Sequence, residues 1–358
     1  MLRTVYLKTT DTCNLNCSHC FTGGTRPPRY FWNVDKTIDW IKRFMEHIPK
    51  TDEVHFEFHG GEPFLADVGE MKRVAEFIRS VGDDRVTVGS TSNLTFKLTD
   101  EMLDFMVNGL DGFGTSWDPD IRFANDKQFQ LWRKNTDTVV QARKGRMVLN
   151  VSVSRMVTEM DQKELLLFLK STNVEKVLFD RITLNGNALE NKHLFPTNQE
   201  INDWYLKMHA ASEELGARKW FYNAALEDVY AKFEKAVSSC GTFCRDCEER
   251  NITINASGSI GGCPNSAPEE EFGNIDMAIP ELFVSAKRLD VMASERTRNE
   301  KCFECSVFSY CGSDCHRLEW DGDICASPRQ LMKMLAGQEY QSTSAVRKNR
   351  VIPIFSRS

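Results

Sequence analysis

The sequence has 358 residues, and its net charge of −6 gives no general reason to expect a nucleic-acid partner. Hydrophobic residues make up 41% and charged residues 27%, the balance of a folded globular protein. The chain lacks both a signal peptide and an apolar run of about eighteen residues, so we expect a cytoplasmic protein without a membrane anchor. In a reducing compartment its twelve cysteines predict metal binding rather than disulfides.

Strand-like and helix-like segments alternate along the first part of the chain. The strand "RTVYLKTT" leads into a cysteine loop and then into the helix "DKTIDWIKRFMEHI". Further strand–helix pairs follow up to about residue 215, which gives six units in all. Repeated units of this kind require parallel strands with right-handed crossovers. The pattern therefore predicts an α/β fold, either an open sheet or a full or partial barrel.

Loops that follow the predicted strands carry the residues of chemical interest. In parallel α/β folds, ligands gather at the carboxyl ends of the strands. The cysteine loop follows the first strand and "HGGEP" (59–63) follows the second, while Ser116 and Ser154 end the fourth and fifth. We expect these loops to share one face. Trp117 and Asp118 would lie there too, either lining a substrate cavity or forming a plain turn.

The first cysteine loop, "CNLNCSHC", contains Cys13, Cys17 and Cys20. Three thiolates can hold three irons of a 4Fe–4S cluster and leave the fourth iron open to a ligand that is not protein. The alternative is a zinc ion with His19 as its fourth ligand. Adjacent residues such as His19 and Cys20 seldom chelate one small ion together, so the spacing favours the cluster.

This loop resembles that of the radical S-adenosylmethionine (SAM) enzymes. In that family three cysteines at this spacing hold a 4Fe–4S cluster, and the amino and carboxylate groups of SAM chelate its fourth iron. The resemblance implies a partial (β/α)6 barrel of parallel strands. It also implies an enzyme that reductively cleaves SAM to a 5′-deoxyadenosyl radical, which takes a hydrogen atom from the substrate.

The "GGEP" segment supports the resemblance, because the family binds the methionyl ammonium of SAM with a glycine-rich motif after the second strand. Glycines allow backbone carbonyls to approach a ligand closely, and a carboxylate suits an ammonium group. Alone, the segment would be an ordinary turn. The cofactor-binding residues that the resemblance implies are His19 near the adenine, Gly60, Gly61, Glu62 and Pro63 at the ammonium, and Ser116 and Ser154 at the carboxylate and ribose.

The other nine cysteines lie between residues 240 and 325. Their spacing resembles the seven-cysteine SPASM extension of some radical SAM enzymes, which holds two auxiliary 4Fe–4S clusters. A zinc ribbon formed by "CFEC" and "CGSDC" is the alternative. By resemblance the distal cluster is bound by Cys302, Cys305, Cys311 and Cys325, and the nearer one by Cys247, Cys263 and Cys315 with either Cys240 or Cys244.

The predicted domain organisation follows from these motifs. Residues 1–235 would form the radical SAM core, residues 236–330 a small iron–sulfur cluster domain, and residues 331–358 a C-terminal tail. The segment from about residue 240 is rich in glycine and cysteine and has too few apolar residues for a large core. A domain of that kind needs metal in order to fold.

Relatives with this extension mostly modify peptides or proteins. We therefore expect an oxidoreductase that oxidises or cross-links a peptide or protein side chain, similar to the maturases of ribosomal peptides. Anaerobic sulfatase maturases carry an aspartate directly after the cysteine that corresponds to Cys263, whereas this chain has Pro264, so that activity is disfavoured. A dehydrogenase acting on an amino sugar or alcohol is the alternative, and a non-enzymatic scaffold would not need the "GGEP" motif. No residue stands out as a general base.

The expected partners follow from this assignment. The first predicted strand begins close to the start of the sequence, so we expect a substrate leader peptide to bind a separate protein or the main body of the enzyme. An electron donor of the flavodoxin or ferredoxin type is implied. We expect neither nucleic acid nor membrane as a partner.

Overall fold

The computed structural model describes residues 1–21, 29–233 and 245–337. Within these residues the strands form a ten-stranded sheet with the order β10-β9-β8-β1-β2-β3-β4-β5-β6-β7. The strands are β1 (Leu2–Thr10), β2 (Glu53–Gly60), β3 (Val86–Ser92), β4 (Gly112–Ser116), β5 (Val148–Ser152), β6 (Lys176–Asp180), β7 (Tyr222–Asn223), β8 (Asn251–Ile254), β9 (Ser259–Gly261) and β10 (Gly273–Asn274).

Helices connect the strands, and most of them begin at a side-chain cap. Thr99 accepts a hydrogen bond from the Met102 amide at 3.2 Å, and such a cap stabilises a helix start by about 1 kcal/mol. The helices are α1 (Val34–His47), α2 (Val68–Gly82), α3 (Asp100–Asp104), α4 (Asp126–Ala142), α5 (Arg155–Glu159), α6 (Gln162–Ser171), α7 (Asn198–Leu215), α8 (Ala224–Phe233), α9 (Cys247–Arg250), α10 (Ile279–Phe283), α11 (Ala286–Arg296), α12 (Phe308–Cys311) and α13 (Arg329–Gly337).

Strands β1 to β7 are parallel to their neighbours throughout. Each of β1 to β6 is followed by one or more helices before the next strand begins. The predicted α/β fold of six strand–helix units is therefore confirmed. No helix of the described segments combines the length and apolarity that crossing a bilayer requires.

The sheet continues beyond the six predicted strands on both sides. β7 pairs with β6, and β8 pairs in parallel with β1 over Thr4–Leu7. β9 and β10 then extend that edge in antiparallel fashion. These strands have two to four residues each, too few to produce a periodic pattern. Through β8, the cysteine-rich part of the chain lies directly beside the strand that carries the first cysteine loop.

The C-terminal part also packs on the core through α13, whose Leu331, Met332 and Leu335 are buried in the main hydrophobic cluster. Residues up to 337, which we predicted to be part of a tail, are therefore helical. Residues 338–358 lie outside the described part of the chain. The domain boundaries at residues 235 and 330 stay a prediction.

The two faces of the central strands differ in character. On β2, Val54, Phe56 and Phe58 belong to the hydrophobic core. The alternate residues His55, Glu57 and His59 line a cavity on the opposite face. Side chains alternate along a strand, so one face packs against the helices while the other points inward. The inner face of the sheet is thus polar and open rather than filled by a packed core.

Candidate active site

A cavity of about 920 Å³ occupies the inner face of the sheet. Its wall includes the first cysteine loop, the glycine-rich motif and the carboxyl ends of β3 to β6, with Pro264 and Asn265 from the C-terminal part. It extends along the strands as far as Leu2, Glu53 and Arg85 at their amino ends. The site residues expected at the carboxyl ends of the strands are therefore largely brought together.

The first cysteine loop is held in place by the loop that follows β6. Asn187 donates from its side chain to the Cys17 carbonyl at 2.9 Å and from its backbone to the Cys20 carbonyl at 2.9 Å. Gly186 has a positive φ of 52°, and a Cβ there would lie 2.4 Å from the Cys20 carbonyl oxygen. A glycine at this position thus allows the two loops to pack closely.

Cys13, Cys17 and Cys20 all line the cavity. Burial raises the pKa of the Cys13 thiol to about 12 and that of Cys17 to about 11. The Leu15 amide and the Asn93 side chain donate to the Cys13 sulfur at 3.4 and 3.6 Å. Bound metal would supply the positive charge that makes these thiols ionise. Thiols with donors aimed at them are therefore suited to a metal cluster.

The arrangement does not match a single zinc ion. Across the described ranges, no three side chains of His, Cys, Asp or Glu lie close enough together to hold one metal ion. A zinc ion needs four ligands at about 2.0 to 2.3 Å. A cluster of several irons spaces its thiolates more widely. The assignment of this loop to a 4Fe–4S cluster instead of zinc stays a prediction.

His19 lies in the cavity wall beside Asp118, with 3.6 Å between its Nε2 and the Asp118 Oδ2. Burial lowers the pKa of His19 to about 4, so the ring is neutral at pH 7. Its Nδ1 is buried and has no hydrogen-bond partner among the residues that the structure describes. An unsatisfied polar atom in a cavity wall is available to a ligand.

Gly60 and Gly61 are required by their contact with the cysteine loop. A Cβ on Gly60 would lie 2.3 Å from the Thr10 carbonyl oxygen, and one on Gly61 would lie 2.2 Å from that of Thr12. The amides of Gly61 and Glu62 donate to these same carbonyls at 2.7 and 2.9 Å. The motif and the cysteine loop are therefore locked together through their backbones.

Glu62 is fully buried, and both of its oxygens are hydrogen-bonded. Oε1 accepts from the Phe64 amide at 3.1 Å and from the Ser92 hydroxyl at 2.9 Å, while Oε2 accepts from the Asn93 amide at 2.7 Å. Burial nevertheless raises the pKa of Glu62 to about 7. An ammonium ligand beside it would favour the ionised carboxylate. Pro63 is buried behind it at the start of a short 3-10 helix, Pro63–Leu65.

The two serines that were predicted to bind SAM differ in their position relative to the cavity. Ser116 lines the cavity, whereas Ser154 does not contribute to the described wall. Ser154 caps α5, accepting from the Val157 amide at 3.3 Å and donating to the Asp120 carboxylate at 2.8 Å. Its hydroxyl is buried and already satisfied within the protein. These contacts give Ser154 a structural role in capping α5, and the roles of Ser154 and Ser116 in binding SAM stay predictions.

A buried ion pair between Asp118 and Arg122 was missed by the sequence analysis. Arg122 lines the cavity and donates from Nε to Asp118 at 2.6 Å. Asp118 also accepts from the Ser152 amide at 2.5 Å. The spacing of four residues between opposite charges was the available signal. Trp117 instead packs against Phe168 with 4.4 Å between ring centroids, so it does not line the cavity.

A second, smaller cavity of about 40 Å³ is surrounded by cysteines of the C-terminal part. The Cys311 sulfur lies 3.0 Å from the Ser327 hydroxyl. Burial raises the pKa of Cys311 to about 11. The cysteines around this cavity are Cys302, Cys305, Cys311, Cys315 and Cys325.

This set contains all four residues predicted for the distal cluster, together with Cys315, which we assigned to the nearer one. Cys315 is also within electrostatic range of Cys263. Burial raises the pKa of the Cys263 thiol to about 12. The division of ligands between two clusters stays a prediction.

Cys247 and Cys263 are linked through Glu248. The Cys263 amide donates to Glu248 at 3.1 Å, and the amides of Cys247 and Glu248 both donate to the Glu295 carboxylate at 2.9 Å. The backbone positions of the two cysteines are thus fixed relative to each other. Cys240 and Cys244, the candidates for a further ligand, lie outside the described residues.

Comparison with known proteins agrees with this geometry. Residues 7–118 match the model of the Radical SAM superfamily. No curated protein sequence matches the chain. The structure of native anSMEcpe with bound AdoMet and Cp18Cys peptide is similar at a TM-score of 0.74 and 15% identity, covering 93% of this chain and 95% of that one.

Two structures of SuiB from Streptococcus suis are also similar in fold. SuiB bound to S-adenosylmethionine has a TM-score of 0.61 and 13% identity, covering 90% of this chain and 76% of that one. SuiB bound to the precursor peptide SuiA has a TM-score of 0.60 and 12% identity, covering 88% and 72%. The match to the Radical SAM superfamily model spans both the three-cysteine loop and the glycine-rich motif that it contacts, so residues 7–118 of the chain are similar to that superfamily over both motifs.

Proposed function

We propose that the chain is a radical SAM oxidoreductase with a SPASM-type C-terminal part, and that it oxidises or cross-links a side chain of a peptide or protein, as ribosomal-peptide maturases do. The observation that carries this proposal is the shared wall of the large cavity. The three cysteines of the first loop and the glycines and carboxylate of the "GGEP" motif all contribute to it.

In this proposal Cys13, Cys17 and Cys20 would hold a 4Fe–4S cluster. When bound, the cluster supplies the electron that splits the sulfonium of SAM, and the resulting 5′-deoxyadenosyl radical takes a hydrogen atom from the substrate. The chain itself binds and orients SAM. Glu62 is fixed by three hydrogen bonds and would receive the methionyl ammonium, and neutral His19 would lie near the adenine.

Auxiliary clusters are the second element of the proposal. Oxidising a substrate radical releases an electron, and clusters in the C-terminal part would accept it and pass it outward. The cysteine-lined second cavity supports one such site. Cys315 lies in its wall and within range of Cys263, so it would be a ligand at the point where the two cluster sites meet.

A peptide substrate is supported by the size of the cavity and by the similar structures. Ligand cavities of about 300 to 1,000 Å³ enclose small organic ligands, and about 920 Å³ is near the top of that range. It therefore offers room for a side chain beside SAM. The solved structures of anSMEcpe and SuiB hold the Cp18Cys peptide and the precursor peptide SuiA. A separate leader-binding protein and a flavodoxin or ferredoxin donor belong to the same proposal.

Anaerobic SAM cleavage tests the proposal directly. The protein is reconstituted with iron and sulfide, reduced with dithionite and assayed for 5′-deoxyadenosine by mass spectrometry. Cys17→Ala should abolish the product, whereas Ser18→Ala on the same loop should retain it as the matched control. Three clusters would give about twelve irons per chain. Absence of 5′-deoxyadenosine from the unaltered protein, or full activity of Cys17→Ala, would contradict the proposal.

The peptide assignment needs its own experiment. Short peptides encoded beside the gene are co-expressed with the enzyme and weighed by mass spectrometry. A loss of two hydrogens, or another defined mass change that depends on Cys17, is the expected result. SAM cleavage without any change in such a peptide would refute the peptide assignment and leave the radical chemistry intact.

A further inference from the structure

One end of the large cavity is formed by β6 and the C-terminal part rather than by the residues assigned to SAM. Asp180 ends β6 and Arg181 follows it directly, and the Asn185 side chain donates to the Asn265 carbonyl at 2.5 Å to close the wall. The glycine-rich motif follows β2, which three strands separate from β6, while Ser116 ends β4, which only β5 separates from β6. This end is therefore available to the substrate.

Asp180 places a carboxylate in the cavity wall at this end. It is the last residue of β6, its side chain is exposed, and it lines the cavity. The structure gives its carboxylate no hydrogen bond and no ion pair within the described residues. Its backbone carbonyl accepts from the Val153 amide at 2.8 Å, so the main chain is fixed while the carboxylate faces open space.

The neighbouring cations are already engaged. Arg181 forms a bidentate ion pair with Asp314, in which Nη2 lies 2.7 Å from Oδ1. Its Nη1 also donates to the Ala326 carbonyl at 3.0 Å. Arg122 is bound to Asp118. Neither guanidinium forms a hydrogen bond or ion pair with Asp180, so within the described residues its carboxylate has no direct counter-ion and interacts with Arg181 only at longer range.

Desolvation in the cavity raises the pKa of Asp180 to about 6; the nearby Asp118 carboxylate adds to this effect and the charge of Arg181 opposes it. The group is therefore mainly ionised at pH 7 to 8. A carboxylate that faces a cavity without a counter-ion gains from a ligand that brings one. The titratable or charged groups that interact with it electrostatically are Tyr6 of β1, Asp118 after β4, Arg181 beside it and Tyr205 of α7.

We propose that Asp180 forms a substrate subsite for a positively charged group, such as the ammonium of a lysine or the guanidinium of an arginine in a peptide. The carboxylate accepts the hydrogen bond of that group and so sets which residue of the substrate enters the cavity. This subsite deepens the proposed function and rests on it for the assumption that the substrate is a peptide.

Binding of defined peptides to the reconstituted enzyme with SAM tests the subsite. The probes are acetylated, amidated Gly-Gly-Lys-Gly-Gly and the same peptide with glutamine or glutamate at the centre, measured by anaerobic titration calorimetry. The lysine peptide should bind about tenfold more tightly than the glutamine peptide, the size of one charge-assisted hydrogen bond. Asp180→Asn should bring that ratio to about one. Iron content checks that this isosteric variant is folded.

Glu53→Gln is the matched control, because Glu53 carries the same charge in the wall at the opposite, amino-terminal end of the strands. Glu53→Gln should keep the preference for lysine. A long-range charge effect would instead lower that preference in both Glu53→Gln and Asp180→Asn. An equal preference in Asp180→Asn, a preference for glutamate, or no binding of any probe would overturn the subsite. SAM cleavage by the unaltered protein is scored separately, so failure of the subsite and failure of the radical SAM assignment are distinguishable.

Discussion

Replacing Gly61 with alanine should disable SAM cleavage by displacing the cysteine loop. The added Cβ would lie 2.2 Å from the Thr12 carbonyl oxygen and 2.5 Å from its carbon, and both are backbone atoms that cannot rotate away. An ordinary contact needs about 1 Å more, so the loop or the motif must move by that amount. A displacement of 1 Å at an active site costs about a hundredfold in rate. We expect kcat/KM for 5′-deoxyadenosine formation to fall by at least about that factor.

The iron content of the C-terminal part should be unaffected, because the contact is local to the first cysteine loop. Gly337→Ala is the matched control, since apart from its chain neighbours and the backbone of its own helix no described atom lies within 4 Å of the position where its Cβ would be built. It should cleave SAM at the rate of the unaltered protein. Wild-type kinetics in Gly61→Ala would refute the conclusion that this glycine is required by the packing of the two loops.

Three further outcomes are expected. Arg181→Met should lower the free energy of unfolding in denaturant by about 3 to 5 kcal/mol, because it leaves the Asp314 charge buried and unpaired. Adding Asp314→Asn should restore most of the lost stability. Equal losses in the single and the double variant would contradict the pairing. Ser154→Ala should lower the free energy of unfolding by about 1 kcal/mol through the lost cap of α5 without changing the KM for SAM. A raised KM would instead support Ser154 as a SAM ligand. The ratio of affinities for the lysine and glutamine peptides should be highest at pH 8 and should fall as the pH drops below about 6, because Asp180 is then protonated. A ratio that persists at pH 5 would exclude this carboxylate as the source of the preference.

The strand–helix units and the cysteine loop could be predicted from the sequence, because both are encoded in local patterns. The spacing of apolar residues in α1 predicted which face of the helix is buried, and Ile41 and Phe44 on that face are fully buried. The loop after β1 had to lie at a carboxyl end of the sheet once the strands were parallel. Local periodicity and the topology rules of α/β folds were sufficient for these features.

Long-range pairing could not be predicted. β8 has four residues, and its position beside β1 depends on contacts across more than 240 positions of sequence. The role of Ser154 depended on whether its hydroxyl faced the cavity or the next helix, and a serine at the end of a strand is compatible with both. Arg181 lines the cavity wall as Asp180 does, but its guanidinium is paired with Asp314, a contact across more than 130 positions that no local pattern in the sequence indicates.

The most direct test of the central claim is electron paramagnetic resonance of the anaerobically reconstituted, dithionite-reduced protein, recorded before and after the addition of SAM. We expect a reduced iron–sulfur signal that changes when SAM binds, and we expect Cys17→Ala to lose this change. A signal that SAM does not alter, or zinc in place of iron at the first cysteine loop, would contradict the proposal that SAM binds to an iron–sulfur cluster there.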